Sequence, residues 1–239
     1  MANGSVRWFG HSFVELTTAD GHVVLFDPWT NEDGNPGTSA NLDDIEEADL
    51  VLVSHDHFDH AASAVSICNK TGAMLGGAVQ TMRKFAENGF DKNRIANFGN
   101  GFLMGGGMDL DWISVRGTPA FHPSDSALAM GFIVKAKDGT TIYFAGDTGI
   151  FGDMALWGRL YPLDLAILPI GGIFTMDAYQ ASEAVRLLNP GAVVPVHYGS
   201  FPIIAQSAEE FERLCSEKIP EVDVIVIAAG ERVDLANFR

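Results

Sequence analysis

The segment that most constrains this chain is Ser54-His55-Asp56-His57-Phe58-Asp59-His60, which follows directly on the apolar run Leu50-Val51-Leu52-Val53. A short apolar, partly β-branched run ahead of polar residues reads as a buried strand. Three histidines and an aspartate in the order H-x-H-x-D-H then leave from its end. In extended backbone, residues i and i+2 point the same way, so His55 and His57 can reach one ion. A helix read over Asp59 to Asn69 begins as the chain turns, and Asp59 and His60 can face a second ion beside the first. As space filling between a strand and a helix these four groups would be a poor choice, because unpaired buried carboxylates and imidazoles cost several kcal/mol.

Other strands must deliver the remaining donors. Runs that read as strands are Val6 to Phe9, Val23 to Phe26, Trp112 to Val115, Met130 to Val134, Thr141 to Ala145, Leu165 to Leu168, Ala192 to Val196 and Val222 to Ile227. Helices are expected over Ala78 to Asn88, over Ala181 to Leu188 behind an Asp177/Gln180 capping pattern, and from Ser207 with Glu210 through Cys215. Asn189-Pro190-Gly191 stops the second of these. A strand-rich first half and an alternating second half predict an α/β (α+β) chain with two sheets face to face and helices outside.

Three further candidates stand just past predicted strands. His197 follows Ala192 to Val196, Asp147 follows Thr141 to Gly146, and His122 follows Ile113 to Val115 and a short connection. Residues at matching ends of neighbouring strands converge on one rim of a sheet. With the frame they make five histidines and two aspartates, enough imidazole and carboxylate for two ions with no thiolate.

Charge limits the partners. Among 239 residues, 15 Lys and Arg face 31 Asp and Glu, a formal charge of −16, and no basic cluster is present. Nucleic acid and anionic membrane surfaces are therefore poor partners, and no apolar stretch approaches the ~20 residues of a transmembrane helix. The Gly-rich stretch Gly99 to Gly107 lacks the context of a phosphate-binding loop and reads as a turn. The acidic segment Asp43 to Asp49 reads as a solvated loop or short helix. Cys68 and Cys215 belong to no C-x-x-C pair and read as buried hydrophobes in a reducing compartment. With no signal peptide at the N-terminus, cytoplasm is the expected location.

On Trp8 to Ser12, Phe26-Asp27-Pro28, Ser54 to His60, Ala145 to Gly149, Leu168 to Gly172 with Phe174-Thr175-Met176, and Pro195 to Gly199, the sequence resembles the metallo-β-lactamase superfamily. The branch is that of uncharacterised metal-dependent hydrolases similar to ascorbate-6-phosphate lactonase and to N-acylphosphatidylethanolamine-type phospholipase. These segments span nearly the whole chain, implying one domain over residues 1–239 with a four-layer αββα sandwich. The resemblance assigns His55, His57 and His122 to one metal, Asp59, His60 and His197 to the other, and Asp147 as the bridging carboxylate. Ser54 stands where many relatives carry threonine. His11 and Asp27 are expected to orient ligands.

The resemblance implies two divalent ions, zinc first and manganese or iron as alternatives, and hydrolysis of an ester, lactone, amide or phosphodiester of a small molecule by a metal-bridged hydroxide. Asp59 and Asp147 are the catalytic candidates. An iron- or manganese-dependent oxidoreductase or dioxygenase is the rival on the same fold. The intact His57 disfavours its diiron form, which tends to carry glutamate there. A non-catalytic metal-stabilised binding protein is a third reading, disfavoured by seven ligands where a structural zinc needs four. Thr30 to Asn41, Phe98 to Met108 and Gly171 to Met176 are candidate specificity loops, the rim should accept a small anionic or carbonyl substrate, and a homo-oligomer is compatible with relatives of this kind.

Overall fold

Period-two burial organises the first sheet. In β1 (Ser5–Gly10), β2 (Phe13–Thr17), β3 (Val23–Phe26), β4 (Leu50–Leu52) and β5 (Met74–Gly76), alternate side chains serve two different cores. Val24, Phe26, Leu50 and Leu52 join the core between the sheets, whereas Val23, Leu25 and Val51 join the one beneath the first helices. A strand buried on both faces reads as a continuous apolar run, which is why β3 and β4 were legible.

The computed structural model describes residues 4–238. A second sheet holds β6 (Gly107–Asp109), β7 (Ile113–Pro119), β8 (Met130–Ala136), β9 (Thr141–Phe144), β10 (Leu165–Pro169), β11 (Ala192–Val196) and β12 (Asp223–Val224). The last strand, β13 (Arg232–Asp234), returns to pair with β1, giving the orders β13-β1-β2-β3-β4-β5 and β12-β11-β10-β9-β8-β7-β6. Phe26 and Phe144 stack across the interface at 4.7 Å between ring centroids.

Helices α1 (Phe58–Ala61), α2 (Ala64–Thr71) and α3 (Val79–Glu87) lie on the first sheet, through Ala64, Ile67, Cys68 and Met82. A single turn, α4 (Ala96–Gly99), leads towards the second sheet. Helices α5 (Met154–Leu160), α6 (Ala178–Leu188) and α7 (Glu209–Lys218) cover the second sheet through Met154, Ala181, Val185 and Phe211. The result is the expected αββα order of layers. Among the described residues, no helix is long and apolar enough to cross a membrane.

Several elements differ from the sequence reading. The helix expected over Asp59 to Asn69 divides into α1 and α2, because Ser63 at the break is bound elsewhere: its hydroxyl accepts from the Thr30 amide at 2.8 Å and its own amide donates to the Pro28 carbonyl at 3.2 Å. Ser207 does not cap α7, which starts at Glu209 behind Ala208 without a side-chain cap. Asp177 does cap α6, accepting from the Gln180 amide at 2.7 Å. Only Asp223–Val224 of the run Val222 to Ile227 pairs with β11, at the sheet edge. Strands β2, β5, β6 and β13 were not read from the sequence. Cys68 and Cys215 are both buried and unpaired.

β1, β3 and β4 run in one direction in the first sheet, as do β9, β10 and β11 in the second. Their C-terminal ends gather at one rim of the sandwich, where the sheets are tied to each other. The Met130 amide donates to the Ser54 carbonyl at 3.0 Å, and the His197 amide to the His11 carbonyl at 2.8 Å.

Candidate metal centre

Six of the seven histidines converge on that rim; only His22 lies elsewhere, stacked on Trp112. His11 follows β1, Asp27 follows β3, and the His55 to His60 frame follows β4. His122, Asp147 and His197 follow β7, β9 and β11. Three of these residues leave their strands in left-handed backbone, His11 at φ 53°, Asp27 at 43° and His197 at 59°. That conformation costs a residue with a Cβ on the order of 1 kcal/mol or more, and it persists where surrounding structure over-determines it.

The frame splits between two groups of donors. His57 is still extended, with ψ 151°, and caps α1, so its ring lies beside that of His55. His57 Nδ1 lies 2.9 Å from His55 Nε2 and 3.3 Å from His122 Nε2. Asp59 and His60, in the first helical turn, point instead to a group with His11 and His197, all of whose ligand atoms lie within 4.8 Å of one another. Asp147 stands between the groups. Its Oδ2 is 3.1 Å from His197 Nε2, 3.3 Å from His60 Nε2 and 3.8 Å from His122 Nε2.

Buried supports aim these rings. Asp27, fully buried, takes the Ser54 amide and hydroxyl at 2.6 Å each, and its Oδ2 is 2.7 Å from His60 Nδ1. That contact places the Nδ1 proton and leaves His60 Nε2 turned to the centre without a hydrogen-bond partner. Ser54 also meets His55 Nδ1 at 2.9 Å, and Ser200 meets His11 Nδ1 at 2.7 Å while His11 Nε2 contacts Asp59 at 3.2 Å. Two glycines permit the crowding. A Cβ on Gly171 would stand 2.7 Å from His197 Nδ1, and one on Gly146, whose φ is +61°, would stand 2.7 Å from the Ser54 Cβ.

Asp56, in the frame but given no role by sequence reasoning, points away from the donors. Its carboxylate accepts from the Ser124 hydroxyl, from the Asp125 amide at 3.0 Å and from Lys84 Nζ at 2.7 Å. It thereby fixes the irregular loop that carries His122. A signal was present in the sequence, an aspartate between two metal-type histidines, but its partners lie 28 and about 70 residues away.

The electrostatics divide the centre into charged and neutral donors. Burial alone would lower the His60 pKa, yet Asp147 and Asp27 outweigh it and hold that imidazole well above its ordinary range. Burial works against ionised Asp147 as well, but His197 and His60 keep it well below the usual carboxylate range. Desolvation lowers His55 and His122, and brings His11 down to about 4, so these rings keep lone pairs at neutral pH. Imidazole nitrogens facing one another at 2.9 and 3.3 Å, with buried unpartnered atoms at His60 Nε2 and Asp147 Oδ1, form a donor set suited to divalent cations of the zinc, manganese or iron type.

The donors floor a cavity of about 670 Å³, a volume suited to a small-molecule ligand. Of the three candidate specificity loops, only Gly171 to Met176 lines it, through Phe174. Thr30 to Asn41 closes on itself through Asn31 and Asn35, and Phe98 to Met108 runs to β6. Residues Phe201 to Ile203, which no sequence pattern singled out, form a wall instead.

Comparison with known proteins agrees with this architecture. The model of the β-lactamase superfamily domain matches residues 22–198. A protein of Nitratidesulfovibrio vulgaris named UPF0173 metal-dependent hydrolase is 43% identical over 230 residues, covering 96% of this chain and 95% of its own. One of the same name from Caldivirga maquilingensis is 42% identical over 233 residues, covering 97% and 98%. Among solved structures, Igni18, described as a novel metallo hydrolase of Ignicoccus hospitalis, superposes with a TM-score of 0.87 at 35% identity, covering 97% of this chain and 98% of that one.

Proposed function

Since this chain belongs to the β-lactamase superfamily and is a metal-dependent hydrolase by its relatives, we propose that it is a binuclear one. His55, His57 and His122 hold one divalent ion, Asp59, His60 and His197 hold the other, and Asp147 is shared. The observation that carries this reading is the position of Asp147 Oδ2, within 3.8 Å of ring nitrogens from both groups. Zinc is the first choice for so many imidazoles, with manganese or iron as alternatives.

When bound, two such ions polarise the scissile carbonyl or phosphoryl oxygen and lower the pKa of water from about 15.7 towards 7. The protein's own residues prepare the site for that chemistry. Asp27 accepts the hydrogen bond from His60 Nδ1, so that Nε2 is the nitrogen turned to the centre, and its proton is displaced when a cation binds. Burial opposes the charge on Asp59, but the His11 contact and nearby His60 hold its carboxyl well below the usual range, so it stays ionised at the cavity floor. There it orients the attacking water. Ser200 in turn fixes His11, which makes His11 a positioning residue for Asp59.

The substrate is a small molecule with an ester, lactone or phosphodiester bond. Metal analysis alongside hydrolase screening tests the reading. Two equivalents of metal and loss of hydrolysis in His57→Ala and Asp147→Ala are expected. Fewer than two equivalents, or hydrolysis unchanged in both variants, would overturn it.

A further inference from the structure

Above the donors, the cavity is walled by Phe58, Pro123, Phe174, Phe201, Pro202 and Ile203. Among the described residues, no lysine or arginine lines it, and no serine, threonine, asparagine or glutamine does. Its polar side chains among the described residues are His57, Asp59, His122, Asp147 and His197, all assigned above to metal binding. Phe58 is 63% exposed, Phe174 51% and Ile203 58%, although large apolar side chains grouped about a cleft are ordinarily covered. These walls are braced against collapse. Buried Trp29 holds Phe58 edge-on and Phe201 stacked, each at 5.6 Å between centroids. The Phe174 carbonyl accepts from His122 at 3.0 Å.

A phosphorylated substrate is ordinarily held by arginine, lysine or a nest of backbone amides in addition to metal, and a polyol by amide and hydroxyl side chains. The walls offer neither kind of side chain. We propose, building on the hydrolase reading above, that the substrate is a neutral carboxylic ester or lactone whose remainder is a hydrocarbon chain or aromatic ring seated between Phe58, Phe174 and Ile203. In the reaction the acyl carbon–oxygen bond breaks and the oxygen of water bonds to the acyl carbon. One proton of that water passes to the leaving oxygen, and the other ionises from the acid product. The anionic substrates that an electropositive rim suggests are thereby set aside in favour of the carbonyl class.

Four measurements on the metal-loaded protein test this. With p-nitrophenyl acetate, butyrate and hexanoate, kcat/KM should rise about fourfold per added methylene until the walls are filled, chiefly through KM. Phe174→Ser and Ile203→Ser should flatten the hexanoate-to-acetate ratio. A phosphodiester, bis(p-nitrophenyl) phosphate, should be turned over less efficiently than hexanoate. Calorimetric binding of the unreactive ketones 2-butanone to 2-octanone should tighten by a similar factor per methylene. Turnover without chain-length dependence, or a preference for the phosphodiester, would overturn the substrate class and leave the hydrolase intact. Ketone binding that does not tighten would overturn it whatever the turnover. Tightening ketones with no hydrolysis of any substrate would instead sink the hydrolase reading while the apolar site stood.

Discussion

The two donor groups at the rim are built differently. The group of Asp59, His60, His197 and His11 lies deep, with its three histidines buried and every ring but one reached by a further side chain or backbone group from a different strand end. The triplet His55, His57 and His122 is shallower: His57 and His122 are half-buried, and His122 rides on an irregular loop held by Asp56. One group is thus set by the sandwich itself, and the other is set by it only at His55 and His57 and by a loop clamp at His122. Metal should therefore bind the deep group first and tightly, and the shallow triplet second and adjustably, the arrangement that lets substrate approach from the open side.

The largest effect should come from the residue common to both groups. Asp147→Ala is expected to lose metal from both and to lower kcat/KM about a thousandfold, several kcal/mol of stabilisation; emission analysis of bound metal beside steady-state kinetics reads both. Loss of one equivalent only would show that Asp147 belongs to a single group. Asp27→Asn should weaken the deep group ten- to hundredfold through His60 and the triplet less, through the Ser54 contact to His55, as seen in chelator competition.

Asp56→Asn should do the reverse at about tenfold, with faster amide exchange at Ser124 to Ser126, and equal weakening of both sites would refute the division. Gly171→Ala, whose Cβ would meet His197, should destabilise the fold by ~1–3 kcal/mol and weaken the deep group alone, measured by denaturant unfolding with and without metal.

The smallest effect is one of pH. Burial pushes the Asp56 carboxyl up, but Lys84, Ser124 and Ser126 outweigh it and hold it well below its ordinary range. A folded pKa below the unfolded value of about 3.9 contributes stability above that pH, lost as pH falls towards the folded value. Wild-type Tm should therefore drop more steeply than that of Asp56→Asn between pH 5 and pH 3, by a few degrees. Parallel curves would mean that the clamp contributes nothing to stability.

Much of this was legible because it is local. The H-x-H-x-D-H frame, the apolar run before it, the Asp177 cap and the continuous apolar run of β3 all act within a few residues. The Ser63 break was hidden because the groups that interrupt the helix lie at Pro28 and Thr30, and β2 because its pairing with β1 and β3 gives meaning to a half-polar run containing Glu15. Asp56 was passed over for the same reason, since nothing beside it shows that it reaches Lys84 and Ser124.

By itself, then, the sequence determined the residue chemistry and the local directions of the site: imidazole and carboxylate without thiolate, His55 and His57 side by side, Asp59 and His60 one turn on. Only the tertiary structure decided that Ser200, 189 residues from His11, would hold its ring, and that Phe58, Phe174 and Ile203 would wall the cavity. The reason is physical. Backbone period fixes where neighbours along the chain point, whereas distances between strand ends depend on how two twisted sheets pack, and no short stretch of sequence encodes that packing.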